Sequence, residues 1–381
     1  MRGKNLTGFC LIFKLRRKMK KMKFSNVKKI VSAALIAALT AGLAAGCGGG
    51  EGGNGSEEQT TLHIYNWSEY IPQEVYDLFE EETGIEVVES TFSSNEEMLA
   101  KLTAGGSDQY DLVTASNYVI PAMQEQGLIK ELNVSNIPNF ANLYDLYKGM
   151  DFDPENKWSV PYMATMTVIA VNKAKCEELG VEIKSFNDLL NTRLEQNLVA
   201  VDDCREIVGI AMKATGVDPD TTDEAEIRSV EPWLGDLAKN IKIYDSDTAF
   251  ASLASNEVAA GIVYNMDAAL AIDENPDIEV VYTTEPCEIS VDNFVMTANT
   301  QHQAEAEQFI DFIHRPDVYA MCLEAYPAIS MNEKGFNLMS EEYKSNEGAD
   351  PDKAEIERAH LIGDVGDAAS IYDEVYSSMK N

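Results

Sequence analysis

Aromatic and acidic side chains dominate the short segments that border the predicted strands and helices. Basic side chains are nearly absent from these segments, and Arg205 is the exception. The segments are Asn66–Tyr70, Ala115–Tyr118, Asp202–Glu206, Tyr264–Asp267, Ser290–Asn293 and Tyr326–Pro327. Carboxylates and hydroxyls can replace the hydration of an ammonium group, which is very costly to bury unpaired. Aromatic faces cover methylene groups and attract cations by about 0.5–2 kcal/mol per contact. The composition therefore favours a polyamine ligand, since an anion would need Arg, Lys or helix N-termini.

Each of these side chains also has an ordinary structural explanation. Asp203 and Glu206 have the spacing of a helix N-cap and the acid three residues later. The rings would also suit a protein core, and the aspartates would suit solvated loops. The residues open to that explanation are Trp67, Tyr70, Tyr118, Tyr264, Asp267 and Asp292. Taken one at a time, none of them establishes a binding site.

Strand patterns alternate with helix patterns from Thr61 onward. The first predicted helix has Pro72 near its first turn and Gly84 as its stop signal. Ser94 and Glu97 have the spacing of a capping box. Strands are predicted at 62–66, 85–88, 110–114, 168–171, 198–201, 241–244, 261–264, 278–282 and 294–296. This alternation predicts α/β layers with mostly parallel sheets, and more than 300 residues of it predict two lobes. Ligands bind beyond the carboxyl ends of such strands.

The N-terminal segment differs in composition from the rest of the chain. Residues 1–46 contain eleven Lys or Arg and no acidic residue, and Ile30–Leu43 has the length of a signal-peptide core. Small residues precede Cys47, as in the lipobox of bacterial lipoproteins. We therefore expect export, cleavage before Cys47, lipidation of Cys47, and anchoring by this lipid to the outer face of the cytoplasmic membrane or the periplasmic side. An uncleaved N-terminal anchor is the alternative. Residues 47–60 would be the anchored linker, with a Gly-rich span of roughly 20 Å.

Charge and cysteine content limit the classes of partner. Without residues 1–46, 19 basic and all 64 acidic residues remain, so the formal net charge is −45. Such a chain is not expected to bind nucleic acid or an anionic membrane surface. Four further cysteines match no zinc or C-x-x-C spacing, and whether they form disulfides stays open. They are Cys176, Cys204, Cys287 and Cys322. Neither a metal nor a cofactor is predicted.

Four motifs in combination closely resemble the bacterial spermidine/putrescine-binding protein family. They are Tyr65-Asn-Trp-Ser-Glu-Tyr70, Tyr110-Asp-Leu-Val113 with Ser116 and Tyr118, Asp202-Asp-x-Arg-Glu206, and Asp364-Val-Gly-x-Ala-x-Ser-Ile-Tyr372. The resemblance implies an α/β, two-lobed type II periplasmic-binding-protein fold with a hinge and a ligand cleft between the lobes. It places 61–166 and 291–334 in one lobe, and 167–290 and 335–381 in the other. It implies a non-enzymatic binder that delivers putrescine or spermidine to the permease subunits of an ABC transporter.

The resemblance also implies the ligand-binding residues. They are Trp67, Ser68, Tyr70, Ser116, Tyr118, Asp203, Glu206, Tyr264, Asp267, Asp292 and Tyr326. Asp203 and Glu206 would bind one ammonium group, and Asp292 another. The sequence departs from the spermidine-binding pattern where the family has two Trp residues and an amide residue. Tyr264, Ser290 and Ile362 stand at those positions. Together with Asp267, which resembles putrescine-preferring relatives, these changes favour a shorter diamine.

Two other functions are compatible with parts of this pattern. The first is the same fold with a different small solute. The second is an extracellular hydrolase in which Asp203 and Glu206 act as paired carboxylates. The sequence contains no G-x-S-x-G, H-E-x-x-H or Walker A motif that would support hydrolysis.

Overall fold

The computed structural model describes residues 60–380. The predicted signal peptide, Cys47 and nearly all of the linker lie outside the described residues. The strands are β1 (Thr61–Trp67), β2 (Glu86–Phe92), β3 (Leu112–Ser116), β4 (Ile129–Lys130), β5 (Val160–Asn172), β6 (Leu198–Ala200), β7 (Ile241–Tyr244), β8 (Ala260–Tyr264), β9 (Ile278–Val281), β10 (Glu288–Thr297), β11 (Ile329–Ser330) and β12 (His360–Leu361).

The helices surround these strands in the order that the alternating pattern predicts. They are α1 (Gln73–Thr83), α2 (Asn95–Thr103), α3 (Ile120–Glu125), α4 (Lys173–Leu179), α5 (Cys204–Thr215), α6 (Glu224–Ser229), α7 (Glu231–Asn240), α8 (Ala249–Ala254), α9 (Asn265–Glu274), α10 (Gln303–Ile313), α11 (Pro316–Ala325), α12 (Glu333–Phe336), α13 (Glu341–Lys344), α14 (Lys353–Arg358) and α15 (Ala369–Met379).

Two long antiparallel strands, β5 and β10, form the centre of the sheet. The strand order is β2-β1-β3-β10-β5-β8-β6-β7. We call β3, β1 and β2 the first wing, and β8, β6 and β7 the second wing. The strands within each wing are parallel. The prediction of mostly parallel sheets is wrong for the centre, where β3–β10, β10–β5 and β5–β8 are antiparallel. Because the chain passes between the wings in both directions, its central strands must run in opposite directions.

The predicted helix boundaries of the first wing are confirmed. Helix α1 begins after Pro72 and ends at Gly84, whose positive φ of 74° suits a residue without a side chain. Ser94 caps α2 by accepting a hydrogen bond from the Glu97 amide at 3.1 Å. The Glu97 carboxylate accepts from the amide of Ser93 rather than from Ser94, so the capping box is shifted by one residue. These ends place the carboxyl ends of β1, β2 and β3 along one edge.

The apolar core follows the division into wings. One cluster of buried side chains joins 169–262 to 365–379 around the second wing. Another lies mainly over 65–129 in the first wing and also takes in Val295 and Ile362. The largest cluster runs through the centre and includes buried residues of both wings. Each wing of the sheet therefore has its own apolar cluster, and the central cluster connects the two.

Candidate ligand-binding site

A cavity of about 260 Å³ is lined by residues from both wings. All eleven side chains predicted from the sequence line it: Trp67, Ser68, Tyr70, Ser116, Tyr118, Asp203, Glu206, Tyr264, Asp267, Asp292 and Tyr326. Several lining residues lie at the ends of strands: Trp67 ends β1, Ser116 ends β3 and Tyr264 ends β8. The carboxyl ends of parallel strands thus meet at the cavity.

Asp292 is a buried acid whose two oxygens are already oriented by hydroxyl donors. The Ser116 hydroxyl donates to its Oδ1 at 2.6 Å, and the Tyr70 hydroxyl donates to its Oδ2 at 2.7 Å. Burial raises the pKa of Asp292, and the hydrogen bonds from Ser116 and Tyr70 oppose that rise. Each carboxylate oxygen can accept a further hydrogen bond, so an ammonium group could complete this cluster.

Asp203 is both a helix cap and a cavity residue. Its Oδ1 accepts a hydrogen bond from the Glu206 amide at 3.1 Å, as expected for the N-cap of α5. Its Oδ2 accepts from the Tyr264 hydroxyl at 3.4 Å on the cavity side. Burial raises the pKa of Asp203, against the effect of these hydrogen bonds and of the nearby guanidinium of Arg205. The structural explanation and the functional one therefore apply to the same residue.

Glu206 provides an unpaired acceptor. Its side chain is 3% exposed, and within residues 60–380 its Oε2 has no hydrogen-bond partner. Burial raises the pKa of Glu206 well above its usual value, and the carboxylates of Asp203 and Glu288 raise it further. Buried carboxyl oxygens are normally paired. A cation in the cavity would supply the missing partner and favour the ionised form.

Asp267 lies in the first turn of α9 and is buried, so it is not a solvated loop acid. Its Oδ1 accepts a hydrogen bond from the Phe250 amide at 3.1 Å. Burial raises the pKa of Asp267 to about 7, and the carboxylates of Asp245 and Asp247 add to that rise. This acid therefore changes its charge near neutral pH.

The rings of the site are held by packing outside the cavity. Trp67 packs on Phe92 with ring centroids 4.5 Å apart, and Tyr70 meets Tyr162 edge-on at 5.4 Å. The Tyr326 hydroxyl donates to Oε2 of an exposed acid at 2.9 Å. That acid, Glu69, has a positive φ of 51°, an unfavourable conformation for a residue with a side chain. The rings are thus partly core residues and partly cavity walls.

Half of the cavity lining was not among the predicted ligand-binding residues, although Glu69, Met266 and Ser290 lie in segments that the sequence singled out. The additional residues are Glu69, Ser93, Asn95, Thr165, Ser246, Asp247, Thr248, Phe250, Met266, Leu270 and Ser290. The loop 245–248 follows β7, so the rule that found the other segments could also have found Asp247. Thr165 lies inside β5, in a stretch that the sequence did not predict as strand, and its hydroxyl is 3.0 Å from that of Ser290. Ile362 is buried and does not line the cavity.

A second cavity of about 480 Å³ adjoins the first and shares Ser93, Ser246 and Asp247 with it. Further acids line it, namely Glu96, Asp202, Asp245 and Asp373. Burial raises the pKa of Glu96 to about 7, and the carboxylate of Asp203 contributes to that rise. The region that adjoins the smaller cavity is therefore also lined by acidic side chains.

Other site types find no support in the described part of the chain. Across residues 60–380, no group of three or more His, Cys, Asp or Glu is placed to hold a metal ion. The four cysteines in this range are buried free thiols. In the same range, no helix has the length and apolar character needed to cross a membrane.

Comparison with known proteins identifies the family. The model of the bacterial extracellular solute-binding proteins matches residues 74–351. The chain belongs to this family. A related member is the spermidine/putrescine-binding periplasmic protein of Salmonella typhimurium, which is 34% identical over 325 residues, covering 85% of this chain and 93% of the relative. Members of this solute-binding family capture ligands, and this confirms the prediction that the protein is a binder rather than an enzyme.

Two solved structures extend the comparison to the fold. The spermidine/putrescine ABC transporter substrate-binding protein of Streptococcus pneumoniae is 27% identical, has a TM-score of 0.68, and aligns over 84% of this chain and 100% of its own. A lipoprotein of Treponema pallidum, Tp0655, is 25% identical with a TM-score of 0.73, over 84% and 99% of the two chains. These likenesses confirm the predicted two-lobed solute-binding fold.

Proposed function

We propose that this protein captures a polyamine outside the cytoplasm and delivers it to the permease of an ABC importer. The observation that carries the proposal is the charge of the cavity. Six carboxylate residues line it, and no Lys, Arg or His is among the lining residues. The six are Glu69, Asp203, Glu206, Asp247, Asp267 and Asp292. The names of the Salmonella and Streptococcus relatives, which bind spermidine or putrescine, support the same ligand class.

The arrangement suits an amine with a charged group at each end. One ammonium group would donate to Asp292, whose oxygens are oriented by Tyr70 and Ser116. The other would donate to Asp203 and to the unpaired oxygen of Glu206. The methylene chain between them would lie against the rings of Trp67, Tyr118, Tyr264 and Tyr326, which line the same cavity. Closing the two lobes would then remove the ligand from water.

Calorimetric titration of the purified protein with putrescine and with spermidine tests this proposal. We expect saturable one-to-one binding of both amines, because their charges match the acids of both lobes. The control ligand is 1,4-butanediol, which keeps the methylene chain but carries no charge, and it is expected to give no saturable heat. Absence of binding by both amines would contradict the proposed function, and turnover of a glycoside by the purified protein would favour a hydrolase.

The same titration tests the length of the ligand. We propose that putrescine binds at least as tightly as spermidine. Where spermidine binders have an aromatic wall, the hydroxyls of Ser290 and Thr165 line the cavity, and Asp267 adds a buried acid. A strong preference for spermidine would contradict this assignment and leave the polyamine class unchanged.

We also propose the lobe boundaries 61–166 with 291–334, and 167–290 with 335–381. The pairing of the central strands supports them. In β5, Ala164 pairs with Val291 of β10, whereas Thr167 pairs with Tyr264 of β8 in the second wing. The crossings at 166/167 and 290/291 thus lie within long, fully buried strands, which can bend as a hinge without exposing a loop, and the third crossing at 334/335 lies in α12.

Lipidation of Cys47 is proposed from the sequence around it, and the likeness to a Treponema lipoprotein supports it. Expressed in a bacterium and labelled with radioactive palmitate, the protein is expected to carry label and to sediment with membranes. Cys47→Ala is expected to lose the label and the membrane association. Cys10→Ala, a matched substitution within the leader, is expected to behave as the unsubstituted chain. Retained label in Cys47→Ala would contradict the proposed anchor.

A further inference from the structure

Arg205 is the basic residue of the otherwise acidic motif, and it does not line the cavity. Its side chain is 5% exposed and is held by two hydrogen bonds. Nη2 donates to Oδ1 of Asp220 at 2.8 Å, and Nη1 donates to the carbonyl oxygen of Gly363 at 2.9 Å. The ion pair with Asp220 balances its charge, so Arg205 need not repel a cationic ligand. The planar guanidinium is therefore fixed in one orientation beside the site.

This orientation places the guanidinium over two aromatic rings. The centroid of the Tyr372 ring is 4.9 Å from Cζ, and the centroid of the Tyr118 ring is 5.5 Å from it. Tyr372 lies on α15, in the same core cluster as the second wing. Tyr118 follows β3 of the first wing and lines the cavity. The contact between Arg205 and Tyr118 therefore joins the two wings next to Asp203 and Glu206.

The Tyr118 ring is also held from its own side. Its hydroxyl accepts a hydrogen bond from Nδ2 of Asn95 at 2.7 Å, and the same amide donates to Ser116 at 3.0 Å. Ser116 in turn donates to Asp292. Tyr118 is thus fixed to the first-wing part of the site, while Arg205 is fixed to the second-wing part. Separation of the wings would have to break the contact between them.

We propose that Arg205 is a positioning residue that holds the cleft closed over bound ligand by its contact with Tyr118. The inference rests on the proposed binding of an amine in this cavity. A cation–π contact acts across the lobes only when they are closed, so its loss should speed opening and ligand release. The association rate, which depends on encounter with the open form, should change little.

Release of putrescine, followed by stopped-flow tryptophan fluorescence, tests the proposal. Arg205→Met removes the charge and both hydrogen bonds but keeps a long side chain. We expect the dissociation rate constant to rise about tenfold, within the range of a partly buried cation–π contact, and the association rate constant to change less than about twofold. Arg228→Met is the matched control, because Arg228 forms ion pairs with Glu224 and Glu374 away from the cavity. It is expected to leave both rates unchanged.

A double-mutant cycle with Tyr118→Leu separates this role from a merely structural one. If Arg205 acts through the ring, Arg205→Met is expected to cause no further change in dissociation once Tyr118 is Leu. An undiminished tenfold effect in the Tyr118→Leu background, or an unchanged dissociation rate in the Arg205→Met single variant, would overturn the proposal.

Should Arg205→Met not fold, Arg205→Lys replaces it, since Lys keeps the charge but cannot make both fixed hydrogen bonds. Faster release is then the expected result, and an unchanged rate overturns the proposal. Failure of the unsubstituted protein to bind amines would contradict the proposed function instead.

Discussion

Asp292→Asn is expected to weaken putrescine binding by about 1.5–3 kcal/mol, roughly a tenfold to a hundredfold increase in Kd. The carboxylate is buried and accepts hydrogen bonds from Tyr70 and Ser116, so it is held in place for a cation. Asparagine removes the negative charge. In the unsubstituted protein the Tyr70 and Ser116 hydroxyls both donate to the carboxylate. The NH2 group of asparagine would face one of these hydroxyls donor to donor. Calorimetric titration of both proteins under identical conditions measures the change.

The control for this substitution is Asp236→Asn. Asp236 is an exposed acid on α7 that pairs with Lys239 and does not line the cavity. The Asp236→Asn variant carries the same chemical change as Asp292→Asn, and its affinity for putrescine is expected to equal that of the unsubstituted protein. Asp203→Asn, in the part of the cavity that the second wing provides, is expected to weaken binding by a similar amount to Asp292→Asn. Unchanged affinity in both cavity variants would show that the amine binds elsewhere.

Putrescine affinity is expected to fall about tenfold when the pH is lowered from about 8 to about 6. The pKa of Asp267 in the empty cavity is raised to about 7, mainly by burial. Its folded pKa lies above the ordinary value, so below pH 7 the side chain holds a proton, and only loss of that proton restores the negative charge in the cavity wall that attracts the bound diamine. Alkyl ammonium groups titrate near the lysine value of about 10.4, so the ligand keeps its charge throughout this range.

Other acids of the cavity act in the same direction. Burial raises the pKa of Asp203, Glu206 and Asp292, and any proton that they hold in the empty site must also leave on binding. Capture should therefore release protons. Titrations in buffers of different ionisation enthalpy count them directly.

Asp267→Asn separates the contribution of this acid from that of the others. The pH dependence is expected to become weaker in this variant, because a titrating group has been removed, and to stay the same in Asp236→Asn. An affinity that does not change between about pH 6 and pH 8 in the unsubstituted protein would contradict the prediction.

Local signals predicted the helix ends well, and they predicted the central strands poorly. Gly84 and Ser94 act within a few residues of their own position, and the structure uses both as predicted. Strand β5 was predicted at 168–171 but spans Val160–Asn172, and every residue of it is buried. Strand β10 was predicted at 294–296 and is likewise buried along its whole length. A strand covered on both faces shows no alternation of apolar and polar residues, so its length is hidden from periodicity.

Composition and spacing alone indicated what kind of ligand this protein would bind. Acids and rings after successive strands, with hardly a basic residue among them, are a property of the sequence, as are the basic and apolar N-terminal segment and Cys47, which predict a lipid-anchored leader. The sequence also predicted that these side chains would meet at one cavity, because the carboxyl ends of neighbouring parallel strands share an edge of the sheet.

Only the tertiary structure decided how each acid is held. Tyr70 and Asp292 are 222 positions apart in the chain, yet they are joined by a hydrogen bond. Likewise, the unpaired oxygen of Glu206 and the contact of Arg205 with Tyr118 depend on how the two wings pack around β5 and β10. Sequence patterns act over a few residues, whereas these contacts depend on strand register and on the closure of two lobes. The class of ligand could therefore be predicted from short sequence segments. The geometry that would hold the ligand arises only from long-range packing.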